Sequence, residues 1–245
     1  MKKNLGDLVK SVLASSGVFI ARQFRGRVTG YALDRDLGLL IRTENPVCFD
    51  VGANEGQTIR LFQRCYSRPV IYAFEPASAT CAALAGQSFD NRVQVHQLAL
   101  GEREGVAEFR NYKHSELSSF LPLHADKAEN IFAEEEVVSV ESVQVATLDG
   151  FCSANGIDRI DLLKIDTQGF ELPVLRGGVG LFNGQRIGAV LLELNFSTLY
   201  EGQSDALEIL HLLRSHGMRL VDYYEKERMT GRELSWATAL FVHHP

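Results

Sequence analysis

The sequence predicts an α/β fold, Rossmann-like, with a mostly parallel sheet covered by helices on both faces. Three observations predict it. Short apolar runs at Val47–Val51, Val70–Phe74 and 93–98 alternate with helical patterns, the order that gives parallel strands joined by crossover helices. The first run ends in Asp50 and opens into a turn carrying Gly52 and Gly56, and the second ends in Glu75. A later run, 160–166, ends in Asp166, so acids recur where strands finish.

Taken in order, residues 5–41 read as helical, with breaks at Gly17 and near Gly26 and Gly30. The strand Val47–Val51 leads into a helix over 57–66, and Pro69 marks the turn into Val70–Phe74. Residues 78–87 read as helix, and 93–98 as a third strand that finishes at Ala99-Leu100-Gly101. Residues 106–109 and 137–145 alternate as strands do. The polar stretch between them, 111–136, is read as an insertion over the site, without an assigned structure. A short helix at 148–155 precedes the run 160–166. The helix at 172–176 stops at Gly177-Gly178, and 187–194 is a core strand that carries Glu193. Residues 205–216 present a broad apolar face and stop at Gly217. Residues 218–223 and 237–242 suit a closing antiparallel pair.

The chain has 245 residues, 45% hydrophobic and 23% charged, which suits one large α/β domain with a small extension. We set the extension at 1–44 and the domain at 45–245. The net charge of −6 gives no basic footprint for nucleic acid. Cys48, Cys65, Cys81 and Cys152 include no C-x-x-C spacing, so no zinc site or redox pair is expected and no metal ligands are assigned. Buried free thiols suit a reducing cytoplasm. The N-terminus resembles a signal peptide only superficially, because Asp7 and Lys10 interrupt its apolar stretch. Leu5, Leu8, Val9, Val12 and Leu13 recur at helical spacing, and residues 1–27 hold six basic residues against Asp7. That is an amphipathic basic helix, suited either to a peripheral contact with the inner face of an anionic membrane or to packing over a domain edge. No run is long enough to span a bilayer.

The glycine turn narrows the ligand. A dinucleotide site needs G-x-G-x-x-G, whereas the turn here is Gly52-Ala53-Asn54-Glu55-Gly56. A phosphate loop needs Gly-Lys-Ser/Thr, which is absent. Asp50 and Glu55 place negative charge where a pyrophosphate would lie. S-adenosylmethionine fits better: it has no phosphate, it carries a sulfonium cation, and its ribose still needs an acid such as Glu75. The bland reading is a generic strand-turn-helix. A nicotinamide-dependent oxidoreductase is disfavoured by the missing G-x-G.

Asp50, Glu75 and Asp166 close apolar strands, and Glu193 lies within a residue of a fourth strand end. In an open α/β sheet these side chains converge on the crevice beyond the carboxyl ends of the strands. The first two suit a cofactor. Asp166, then Glu193, suit the orientation of an acceptor hydroxyl and the removal of its proton. Lys164 shares a face with Leu162 and is read as structural. Glu171 is read as a helix-start residue. His114 is read as solvated, and His211 and His216 have no evident partner.

Several motifs then occur in the order found in FkbM-type methyltransferases, which this sequence resembles. They are Asp50-Val-Gly-Ala-Asn-Glu-Gly56, Phe74-Glu-Pro76, Ala99-Leu-Gly101, Ser118-Ser119, Thr147-Leu-Asp149 and Lys164-Ile-Asp-Thr-Gln-Gly-Phe-Glu171. The run from Glu193 to Gln203 and Thr230-Gly-Arg232 continue the series. The match covers roughly residues 40–243. The resemblance implies a class I fold with seven strands, the last antiparallel, that binds S-adenosylmethionine over the first two strands. It implies that Asp50, Gly52 and Asn54 line the methionine end, with Gly56 in the same turn. Glu75, followed by Pro76, would hold the ribose, and Ala99 with Leu100 would flank the adenine. Asp166 would stand near the transferred methyl. It also implies O-methylation of a sugar, glycolipid or secondary-metabolite hydroxyl, in keeping with a place in polysaccharide biosynthesis. The acceptor expected is a small molecule or glycan. One departure stands out: the family often carries an acid near 238 and a glutamine near 236, where this chain has Thr238 and Trp236. The alternative from another class is a non-catalytic scaffold that keeps the same fold and binds the cofactor without turnover.

Overall fold

The computed structural model describes residues 27–229 and 233–243. The amphipathic segment expected before residue 27, with its membrane contact, and Thr230-Gly-Arg232 lie outside these residues. No helix among the described residues is long and apolar enough to cross a membrane.

Helix α1 (Leu33–Leu40) leads to β1 (Val47–Val51), α2 (Gln57–Cys65), β2 (Val70–Phe74), α3 (Ser78–Ala85) and β3 (Val93–His96). Next come β4 (Ala99–Leu100), β5 (Gly105–Tyr112), a 3₁₀ turn at Ser115–Leu117, β6 (Val137–Ala146) and α4 (Leu148–Ala154). The chain continues through β7 (Ile160–Ile165), α5 (Glu171–Arg176), α6 (Val179–Asn183) and β8 (Ile187–Asn195). It closes with α7 (Ala206–Ser215), β9 (Met218–Glu227) and β10 (Trp236–His243).

The main sheet has seven strands in the order β3-β2-β1-β7-β8-β10-β9. The neighbours from β3 to β8 pair in parallel, and β10 runs antiparallel to both β8 and β9. Strand order therefore reverses at β1, and a crevice opens beyond the carboxyl ends of β1 and β7. Alternation along the strands builds two cores. Phe49, Val51, Leu163, Ile165, Val190 and Leu192 face one side, packed on Leu172, Leu175 and Phe182. Cys48, Ile71, Leu162, Ala189 and Leu191 face the other, packed on Leu37, Ile59 and Phe62. Truncating a fully buried ring such as Phe62 to alanine removes about 3–5 kcal/mol.

Local signals set several ends. Thr147 caps α4 by accepting from Gly150 N at 2.9 Å, and Asp205 caps α7 by accepting from Glu208 N at 2.9 Å. Gly217, at φ 79°, follows α7 as expected. Three expectations change. The third strand ends at His96, and Ala99–Leu100 leaves the main sheet to pair with β6 in a separate three-stranded sheet, β4-β6-β5. The glycines after α5 stop that helix, but a further one, α6, begins at once. The insertion is ordered by its own small core, in which Tyr112, Leu117 and Leu123 pack on Leu199 and Tyr200. The described part of the N-terminal extension packs on the domain. Asp36 is fully buried and accepts from Thr29 N (3.0 Å), Gly30 N (2.9 Å) and the Tyr224 hydroxyl (2.8 Å), which ties residues 29–36 to β9.

Candidate active site

A cavity of about 740 Å³ lies at the carboxyl ends of β1, β2, β7 and β8. Gly52, Asn54, Glu75, Pro76, Ala99, Leu100, Asp166 and Glu193, eight of the residues expected at the site, line it. Asp50 and Gly56 lie behind its wall instead. Asp50 is fully buried, because alternation turns it into the sheet face shared with Leu162. Gly56, at φ 81°, forms the left-handed entry to α2. There a Cβ would press on Leu84 and Phe89.

The turn after β1 is tied to β2 at several points. Gly52 N and Ala53 N both donate to Phe74 O at 3.0 Å. Asn54 N donates to Glu75 Oε2 at 2.9 Å, and Ala77 N donates to Glu75 Oε1 at 2.9 Å. Both carboxylate oxygens of Glu75 are thus fixed by backbone donors, while the residue still borders the cavity. Burial pushes the Glu75 carboxyl above its ordinary range, and the two N–H bonds oppose that rise. Gly52 has φ 80°, and a Cβ on it would collide with the Asp166 carbonyl oxygen, so β1 and β7 approach there only through a glycine.

Lys164 is read from the sequence as structural, and its contacts with Asp50 and Gly52 are of that kind. It lines the cavity, and it stands beside Asp50 in the register. Its Nζ lies 3.0 Å from Asp50 Oδ1 and 3.7 Å from Asp166 Oδ2, and it donates to Gly52 O at 3.0 Å. The Asp50 contact is an ion pair by distance, without a well-angled hydrogen bond to either oxygen. Burial opposes the charge on Lys164, but the Asp50 and Asp166 carboxylates outweigh it and hold the ammonium above the usual lysine range. The available signal was a lysine two residues before Asp166, set among the apolar Leu162, Leu163 and Ile165.

Asp166 and Glu193 are brought together by a residue that sequence reasoning left unassigned. Gln168 Nε2 donates to Asp166 Oδ1 at 2.8 Å and lies 3.4 Å from Glu193 Oε1. Glu193 is only half-buried by area, yet what it faces is the cavity rather than open solvent. Desolvation, followed by the Asp166 and Glu171 charges, pushes its carboxyl well above the ordinary range against the pull of Lys164. Glu171 opens α5 as expected. Its Oε1 accepts from Thr167 N (3.1 Å) and Gly169 N (3.0 Å), and burial raises it to about 7.

The insertion supplies one wall through Ser115, Glu116, Ser118 and Phe120, and Ser115 Oγ donates to Asn54 Oδ1 at 3.1 Å. Tyr31, Leu33, Leu61 and Arg64 line the cavity as well, none of which had a sequence signal. Thr238 also lines the cavity, and its hydroxyl donates to Glu225 Oε2 at 3.1 Å. An acid therefore does stand beside position 238, contributed by β9 at a residue with φ 47°. His114 is exposed as expected but pairs with Glu135 at 2.7 Å, and His216 stacks on Phe182. No cluster of metal-ligating side chains occurs among the described residues.

The model of the methyltransferase FkbM domain matches residues 50–220. The chain is 28% identical over 207 residues to the 2-O-methyltransferase NoeI of Sinorhizobium fredii, covering 80% of this chain and 82% of that protein. It is 30% identical over 196 residues to the 31-O-demethyl-FK506 methyltransferase FkbM of Streptomyces tacrolimicus, covering 71% and 73%. Among solved structures, the 1,6-didemethyltoxoflavin-N1-methyltransferase of Burkholderia thailandensis aligns at 14% identity with a TM-score of 0.44, over 86% of this chain and 78% of that one. With a family match over most of its length and a seven-stranded sheet whose last strand is antiparallel, as the resemblance implied, the chain belongs to the FkbM family of methyltransferases.

Proposed function

We propose that the protein transfers the methyl group of S-adenosylmethionine to a hydroxyl of a sugar, glycolipid or secondary metabolite. One observation carries this reading. A single cavity joins a backbone-tethered carboxylate over the first two strands, Glu75, to a pair of carboxyls, Asp166 just after β7 and Glu193 near the end of β8. The residues present fit the donor. Glu75 has lone pairs left to receive two ribose hydroxyls, since each of its oxygens accepts only one backbone bond. Leu98, Leu100, Phe109 and Phe120 offer an apolar slot for a base, and the local acids suit a cation and repel a pyrophosphate. When bound, S-adenosylmethionine supplies an electrophilic methyl on a sulfonium sulfur that departs as a neutral thioether.

The chain's own residues position the acceptor and take its proton. Asp166, with its side chain 37% exposed toward the cavity, accepts a hydrogen bond from the acceptor hydroxyl. As the hydroxyl oxygen forms the new C–O bond, its O–H bond breaks and the proton passes to Asp166, which returns it to solvent. Thr238 and Glu225 border the acceptor side, where the chain departs from its family's usual residues. NoeI and FkbM carry O-methyltransferase activities in their names, which supports a hydroxyl as the acceptor atom. The test is calorimetry with S-adenosylhomocysteine, followed by incubation with labelled S-adenosylmethionine and a panel of sugars and polyols. Binding and label transfer to a hydroxyl are expected, and a wild-type protein that binds neither donor nor product would overturn the reading.

A further inference from the structure

The geometry points to Gln168 as a positioning residue. Held by Tyr200 and Ser119, it joins the Asp166 and Glu193 carboxyls in one array and aims Asp166 at the acceptor hydroxyl. The inference rests on the methyl-transfer reading and goes beyond it to residues that reading does not use.

The amide of Gln168 has only one way to face. Its Nε2 end sits 2.8 Å from Asp166 Oδ1, and a carboxylate oxygen needs a donor there, so the NH₂ group faces the acids. The carbonyl end then faces the Tyr200 hydroxyl at 2.9 Å. Tyr200 is fully buried, and its oxygen is also 3.0 Å from Leu117 O. The single hydroxyl proton is divided between these two acceptors, and the buried phenol confines the amide from this side. The Gln168 backbone is held as well. Ser119 Oγ donates to Gln168 O at 2.7 Å, and the residue holds φ 54°, a left-handed conformation that a glutamine adopts only under constraint.

The two N–H groups of the amide are unequal. One bonds Asp166 at 2.8 Å, and the other points toward Glu193 at 3.4 Å. Asp166 also has the Lys164 ammonium 3.7 Å away. Asp166 thus takes the shorter amide bond and has the ammonium within 4 Å, while Glu193 has the longer amide contact and the Asn195 side chain beside it. Glu193 meets Asp166 and Glu171 from β7 and α5, with Lys164 the opposing cation. From β8 onward it meets Tyr200. From β10 its register partner is the neutral Thr238, which leads to Glu225 on β9. The uneven donors set the two carboxyls apart.

The test is a ¹³C carboxyl NMR titration of the full chain labelled at Asp and Glu, for wild type, Gln168→Met and Tyr200→Phe. Gln168→Met removes both N–H donors with little change in volume. The lower titration step of the Asp166–Glu193 pair is expected to rise about tenfold in proton affinity. Tyr200→Phe frees the amide and should move the same step in the same direction by less. A residue that merely filled space would leave that step in place. An unchanged lower step in both folded variants overturns the inference. If Gln168→Met fails to fold, Gln168→Asn, whose amide is one carbon too short to reach both acids, reads the same step. Calorimetry with S-adenosylhomocysteine on the wild type keeps the two questions apart. Loss of binding there removes the methyl-transfer reading and leaves the titration result standing.

Discussion

Replacing Glu75 with glutamine separates two roles that one side chain performs. In the folded protein Glu75 accepts from Asn54 N and Ala77 N, each at 2.9 Å, one on each oxygen. Glutamine has a single amide oxygen, so one of those donors must face an NH₂ group instead. An unsatisfied donor of this kind costs about 1–3 kcal/mol of stability. The second effect falls on the ligand. A ribose diol that donates to a carboxylate makes charge-assisted bonds worth about 1.5–3 kcal/mol, so their loss weakens binding by about 10- to 150-fold. The assay is titration calorimetry with S-adenosylhomocysteine, alongside urea unfolding of the same preparations. Affinity should also weaken as pH falls toward the raised titration range of Glu75, because a protonated carboxyl accepts less well from the ribose. The result that refutes the reasoning is a Kd within about twofold of wild type in a variant whose stability has dropped. That would leave Glu75 a fastener of the turn with no ligand role.

Lys164→Met strands the fully buried Asp50 without its counterion and is expected to cost about 3–5 kcal/mol in urea unfolding; adding Asp50→Asn should recover most of that loss. Gly52→Ala forces a Cβ into the Asp166 carbonyl at φ 80°. It should cost at least about 1–3 kcal/mol in thermal unfolding and reduce S-adenosylhomocysteine binding in calorimetry. Glu171 has a folded pKa near 7 against 4.5 for the free group, so its burial penalty is absent below the lower value and complete above the higher one. Wild-type stability should therefore lose about 3 kcal/mol from this group between pH 4.5 and pH 7, and Glu171→Gln, which keeps an acceptor oxygen, should lack that slope in unfolding at pH 5 and pH 8.

The strand-end acids were legible because period-two alternation and a parallel sheet are both local patterns. Once β1, β2, β7 and β8 are read, Glu75, Asp166 and Glu193 must gather at their carboxyl ends. Asp50 shows the limit of that reasoning. Its place at the end of an apolar run is visible, but its partner behind the cavity wall follows from the β1–β7 register that sets it beside Lys164, and that register joins segments far apart in the sequence. Leu100 was legible as a cavity residue and misread as part of the third strand. A two-residue strand pairs with whichever edge is near, and here that edge is β6. The walls from Tyr31 and Leu33 and from Glu225 were invisible for another reason. They are set by the buried Asp36–Tyr224 contact, which joins residues 188 apart in the sequence.

Charge argues for a cationic guest over a phosphate one more firmly than the glycine spacing does. Glu75, Asp166, Glu193 and Glu225 all border the cavity, with Lys164 and Arg64 as the facing cations. Lys164 is already committed to Asp50 and to the Gly52 carbonyl, so its charge is largely neutralised before any ligand arrives. A pyrophosphate entering beside Gly52 would meet more carboxylates than free donors. A sulfonium in the same place meets an acid-rich rim, and it loses its charge when the methyl leaves, so a field that favours it before transfer releases it afterwards. For a cavity that must bind a cation and discharge a neutral thioether, the excess of acids is the expected arrangement.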